Sequence, residues 1–148
     1  MRLSPAVALL ALAACGESLP PDIGANKNAI WEVLKAYHRA GDQGDVDIMA
    51  SHLAPEATIF KGAEDFARPK EEAVKELTDR VKYFQGQSRS TLLGREEINI
   101  TGDVGVATYV ASVGTQRAGI TAVLRRTQGK WQISHLHESW PAPAPAPK

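Results

Sequence analysis

His135 and His137 stand two residues apart in the stretch GKWQISHLHESW, residues 129–140, and are the residues of this chain best suited to chemistry near neutral pH. Their ordinary pKa lies close to 7, so an imidazole can exchange a proton, ligate a metal or hold a bound molecule by a hydrogen bond. Side chains alternate along a strand, which places Trp131, Ile133, His135, His137 and Ser139 on one face and Gln132, Ser134, Leu136, Glu138 and Trp140 on the other. Same-face neighbours lie roughly 6 to 7 Å apart. The other candidate is Tyr37, a hydrogen-bond donor in a helical pattern near the start of the chain.

Three chemistries remain open for Tyr37, His135 and His137. As ligand-binding residues, with Trp131 and Ser139 beside them, they would orient a small apolar or carbonyl-bearing molecule. As catalytic residues, one histidine would serve as general acid or base and Tyr37 as donor, although no nucleophile or paired acid and base is visible. As structural residues, neutral imidazoles would donate to backbone or to Tyr37 and complete the polar end of a core. A zinc site would need a third ligand from His38, His52 or Glu138. Glu138 falls on the opposite face and His38 at the wrong angle, so no metal or other cofactor is expected. Glu96 is an unplaced carboxylate, and the faces of Arg89, Arg95 and Arg117 are not fixed by pattern. Asp79 and Arg80 read as a solvated helix face.

The elements that must position these groups follow from periodicity. Ile30, Val33, Leu34 and Tyr37 recur at helical spacing over 28–40, with Gly41 as a stop. Asp45 can cap a short second helix with the stripe Val46, Met49, Ala50 and Leu53, ended by Pro55. ATIF, residues 57–60, reads as a strand. A third helix has Pro69 near its first turn, Glu71 and Glu72 facing its positive end, the stripe Val74, Leu77, Val81 and Phe84, and Gly86 as its stop. From Ser88 the pattern changes to four strands, with turns at Gly102-Asp103 and Gln128-Gly129 and a bulge at Gly94. The expected architecture is α+β, a cone-shaped curved antiparallel sheet wrapped around three N-terminal helices.

Residues 1–14 carry Arg2 and an apolar run from Ala6 to Ala14, the pattern of an export signal too short for a permanent membrane span. Residues 15–25, with Pro20-Pro21, suit a tether, 26–140 the folded domain, and the Pro-Ala alternation of 141–148 a disordered tail. Without Arg2 the chain has 16 basic and 17 acidic residues, and Arg125-Arg126 is its only adjacent basic pair. Nucleic acid is therefore not an expected partner, since phosphate binding needs clustered Lys and Arg. Cys15 is the only cysteine and has no disulfide partner within the chain.

Leu12-Ala13-Ala14-Cys15 resembles the bacterial lipobox, which implies lipidation at Cys15 and a stable lipid anchor. Gly16 in place of Asp after the cysteine implies, by the sorting pattern of such lipoproteins, the outer membrane facing the periplasm. AYHRAGDQGDVDIMASHLAPEATIF, GDVGVATYV and GKWQISHLHES, taken in order, resemble the nuclear transport factor 2-like superfamily. They are most similar to SnoaL-like domains and to the association domain of calcium/calmodulin-dependent kinases. That resemblance implies a cone of helices and curved sheet, commonly a homodimer through the sheet. Against the ketosteroid isomerases of the superfamily, Tyr37 matches the oxyanion-holding tyrosine. Lys61 and Ala122 stand where those enzymes have a carboxylate base and a protonated aspartate. The ligand-binding arginines of the kinase domains correspond to Ala111 and Ala122. The resulting expectation is a small-molecule binding lipoprotein, with a lyase or isomerase of SnoaL-like type and a non-catalytic dimerisation module as alternatives.

Overall fold

The computed structural model describes residues 22–62, 67–83 and 90–140. The segment expected to be an export signal, Cys15 and the expected tail lie outside them, as do Phe84, Gly86 and Arg89; the side chains of Leu77, Arg80 and Val81 are likewise not described.

Helix α1 (Ile23–Gln43) starts earlier than the apolar pattern predicts because Asp22 caps it, its carboxylate accepting the Ala25 N–H at 3.0 Å. Residues 23–25 of the expected tether are thus its first turn. The helix also runs past Gly41 and stops at Gly44, whose left-handed backbone (φ 73°) turns its N–H back to the carbonyls of Ala40 and Gly41. Gly41 has a different role: a Cβ there would come within 3.3 Å of Met49 Sδ, so it lets the short α2 (Val46–Ser51) pack close. Asp45 caps α2 as expected, accepting the Ile48 N–H at 3.0 Å.

Leu53 and Pro55 are not the end of that helix but the start of strand β1 (Leu53–Lys61). The chain becomes extended here because Leu53 pairs with Ile133 of the last strand and the Ile133 N–H donates to the His52 carbonyl at 2.9 Å. A register shift between Leu53 and Thr58 accommodates the proline. Pro69 belongs to a two-residue edge strand, β2 (Arg68–Pro69), which pairs with Thr58 and Ile59 and leads directly into α3 (Lys70–Tyr83).

Four strands follow: β3 (Thr91–Thr101), β4 (Val104–Val113), β5 (Gln116–Thr127) and β6 (Lys130–Ser139). The sheet order is β2-β1-β6-β5-β4-β3, antiparallel throughout except for the parallel β1–β6 pair. The bulge expected at Gly94 is present: between Gly94 and Glu97 the β3–β4 register shifts, with Arg95 at φ 57°. Arg95 and Glu96 on the bulge are exposed, as is Arg117, so none of them enters the interior.

One sheet face is covered by the helices. Ile30 and Leu34 of α1 are fully buried against it, and a Cβ at Gly105 would collide with Ile30 Cδ1. Each such side chain contributes about 1.5–3 kcal/mol by leaving water. At the end of the sheet where α1 begins, Asn26 Oδ1 accepts from Arg126 Nη1 and from Trp131 Nε1, both at 3.2 Å. Arg126 also lies 5.4 Å from the Trp131 ring centroid and donates to Asp103 at 2.8 Å. These contacts fix the helix to the two hairpin turns beneath it.

Candidate functional site

The final strand does not keep the alternation that its sequence suggests. Leu124 pairs with Ile133 and Val123 with His135, so Ser134 is an extra residue opposite no partner. This second bulge inverts the faces beyond it. Trp131 and Ile133 point inward as expected, but the next inward residues are Leu136 and Glu138, both buried. Leu136 pairs with Ala122, and each is 0% exposed, which shows what holds the shifted register: burying this leucine outweighs an unbroken ladder.

His135 and His137 are consequently turned to the outer face, away from Tyr37 and from the interior wall where the alternation pattern puts them. His135 Nδ1 and Thr58 Oγ1 share a hydrogen bond of 2.8 Å, and the His137 ring meets Phe60 edge-on at 4.9 Å. Both partners lie on β1, in register across the parallel pair. Ser139, also on that face, is exposed. Tyr37 is inside, 1% exposed, and Trp131 closes the interior near the start of α1. The five residues expected to line one pocket are therefore divided between two faces of the sheet.

A different polar cluster occupies the interior. His38 Nε2 and the Tyr109 hydroxyl share a hydrogen bond of 2.8 Å, their rings edge to face at 5.7 Å. Tyr37 packs edge-on against His38 at 5.3 Å, and Trp31 against Tyr109 at 5.5 Å. Glu138 is 8% exposed, and one of its carboxylate oxygens accepts the Trp140 indole N–H at 2.9 Å. On the far side of His38, Asp42 accepts the Thr91 N–H and hydroxyl.

The groups in this cluster have separated proton affinities. Burial pushes His38 below its ordinary 6.5, opposed in part by the negative charges of Glu138 and then Asp42, so the imidazole is neutral at pH 7. Burial and then the Glu138 charge push the Tyr109 hydroxyl far upward, so it remains protonated. A neutral nitrogen base and a phenol donor thus stand in contact beside a buried carboxylate.

Sheet register extends the cluster. Lys61, Glu138, Ile120 and Tyr109 are successive partners across β1, β6, β5 and β4. Lys61, where the ketosteroid isomerases carry their base, lies on the inner face with its ammonium 3.7 Å from Glu76 of α3. Glu138 is its partner on the next strand, so two carboxylates, Glu76 and Glu138, stand by that position. Ala111 and Ala122 are 0% exposed, so the two positions matched to other relatives' functional groups are packing positions here. His38 and Glu138 face inward while His135 and His137 face outward, which removes two of the three residues considered as a third metal ligand for the pair. Among the described residues no three His, Cys, Asp or Glu side chains are grouped as a metal site. A separate open groove of about 620 Å3, bordered by Gln43, Asp45, Asp47, Val74 and Thr78, touches none of these residues.

Two spacings mark this arrangement in the sequence. Trp31 and His38 are two helical turns apart, so they share a face of α1. Ile133 and Leu136, apolar residues three apart in a strand, cannot share a face without a bulge.

Residues 30–143 match the family of SnoaL-like domains. No curated protein matches the chain. Among solved structures, an NTF2-like protein of unknown function from Shewanella baltica superposes with a TM-score of 0.69 at 19% identity, over 84% of this chain and 100% of that one. A candidate dehydratase of the NTF2-like family from Streptomyces avermitilis gives 0.69 at 15% identity, over 81% and 99%. A candidate ketosteroid isomerase from Shewanella frigidimarina gives 0.63 at 25% identity, over 75% and 94%. With a six-stranded curved sheet folded over three helices and a family match across most of its length, the chain belongs to the SnoaL-like domains of the NTF2-like superfamily.

Proposed function

We propose that this domain binds a small, largely apolar molecule carrying a hydrogen-bonding oxygen, at the pole of the cone formed by His38, Tyr109 and Glu138. The reading rests on one observation: His38, Tyr109 and Glu138 are gathered at one end of a largely apolar interior, with a hydrogen bond of 2.8 Å between two of them and a carboxylate only 8% exposed. Burying such groups costs stability that apolar side chains of similar size would not. Small-molecule sites have this composition, an apolar wall with a few convergent polar groups. In this role the Nε2–H of neutral His38 donates to the Tyr109 oxygen, which leaves the single Tyr109 O–H to donate to the ligand oxygen, and Trp31 and Tyr37 supply apolar wall.

Native mass spectrometry of protein purified under mild conditions tests the reading. A retained molecule is expected in the wild type and in His135→Ala, and its loss in Tyr109→Phe and His38→Ala. A protein that emerges bare, and whose amide spectrum is unmoved by apolar ketones, alcohols and phenols, would overturn it in favour of a non-catalytic module.

The His38–Tyr109 pair also favours a second reading, proton transfer of the lyase or isomerase kind, because it places a neutral base and a protonated acid in contact. Solvent-deuterium exchange next to the carbonyl of cyclohexanone, followed by NMR, tests it: exchange faster than buffer and abolished in His38→Ala is expected, and exchange at the buffer rate is against it.

In the same proposal the protein is exported and lipid-anchored through Cys15, in the outer membrane facing the periplasm, as its lipobox-like start supports. Cys15→Ser should release it from membranes. The outer sheet face, where Val104 and Val106 are each 39% exposed, is the proposed homodimer surface.

A further inference from the structure

We infer that the end of the domain holding the start of α1 and the β3–β4 and β5–β6 turns is a membrane-facing surface that contacts anionic phospholipid headgroups. This rests on the lipid anchor proposed at Cys15. The hydrogen bonds from Arg126 and Trp131 to Asn26, and the Arg126–Asp103 pair, join the helix start and the two turns into one surface. Lys27, Arg125 and Lys130 are all exposed on it, and Ile23 beside them is 59% exposed.

Two carboxylates also belong to this end, and both are engaged. Asp22 caps α1, and Asp103 pairs with Arg126. Asp22 keeps its charge as a cap, so Lys27, Arg125 and Lys130 leave this end with an excess of two positive charges. The far end of α1 has the opposite character, with Asp42, Asp45 and Asp47 within six residues. A 21-residue helix separates the two ends by about 30 Å, several times the screening length of physiological salt, so a charged bilayer surface distinguishes them.

The anchor selects the same end. Cys15 precedes Asp22 by seven residues, which span at most about 25 Å when fully extended. The lipid thus holds this basic end near the bilayer, and the acidic end lies a helix length further along. Anionic headgroups add an attraction of roughly fivefold per nearby Lys or Arg, and exposed Ile23 is placed to enter the interfacial layer.

The test uses the full mature lipoprotein, reconstituted into vesicles of pure phosphatidylcholine or of about 3:1 phosphatidylcholine to phosphatidylglycerol. Intact mass reports the lipid, and amide hydrogen exchange reports contact. Peptides covering 101–105 and 125–131 should exchange about fivefold more slowly on the phosphatidylglycerol vesicles, while 41–47 is unchanged. The triple variant K27E/R125E/K130E, with an unchanged circular dichroism spectrum, should lose the difference, as should wild type in high salt. A lipidated protein with equal exchange on both vesicles overturns the orientation alone. A mature mass lacking the lipid overturns the anchor, and the orientation with it.

Discussion

The two faces of β6 carry the same kinds of residue into opposite circumstances. Outward, His135 and His137 lie half-buried beside Thr58 and Phe60 of the neighbouring strand. Inward, Glu138 is buried and joins His38 and Tyr109, which arrive from α1 and β4. The outer pair is close in sequence and needs only its own strand and β1 to hold it. The inner group is assembled from residues 38, 109 and 138, and only the closed fold brings them together. Conspicuous spacing in sequence is therefore a poor guide to the interior of this cone, because groups that converge across a curved sheet share no sequence period.

The sharpest way to break this contrast is to empty the buried site that the shifted register serves. Leu136→Ala keeps the register but empties a fully buried site, at an expected cost of about 2–5 kcal/mol by urea denaturation. Tyr109→Phe leaves packing nearly intact and removes the hydroxyl shared with His38, for about 1–2 kcal/mol by the same measurement.

The pH dependence separates the two faces next. The folded pKa of His38 is lowered, so the unfolded chain takes up its proton first as pH falls. Its contribution is full above 6.5, is lost as pH falls from there through the lowered folded value, and is constant below it. His52, also lowered by burial, contributes in the same sense. His38→Gln should flatten the decline in melting temperature below pH 6.5 beyond what His52→Gln does, and His135→Gln should leave the His38 component in place. The smallest effect belongs to His137→Ala, expected within about 1 kcal/mol of wild type because its ring is half-exposed and loses one edge contact. A larger loss would show that the outer face is covered in solution.

Much of the scaffold is legible in the amino-acid order because local physics dictates it. Asp45 announces α2 by offering a carboxylate to an otherwise unpaired N–H, and Gly94 marks the point where β3 bends. The apolar spacing of Ile30, Leu34 and Tyr37 gives α1 its buried stripe. Its ends were less legible: helical spacing identifies the packed turns, whereas Asp22 and Gly44 act on the unpaired groups beyond them. Leu53 fits a helix stripe by spacing for a related reason, since its strand forms only when Ile133, eighty residues later, pairs with it.

By itself the sequence determined that this chain folds as helices followed by a strand run, that Trp131 and Ile133 face a core, and that Tyr37 lies on a buried helix stripe. These follow from periodicities of 3.6 and 2 and from caps that act over four residues. Only the tertiary structure decided which way His135, His137 and Glu138 point. That choice turns on a single unpaired residue, Ser134, whose place is set by Ile133 packing opposite Leu124 and Leu136 opposite Ala122, and burial against a distant partner outweighs the local alternation.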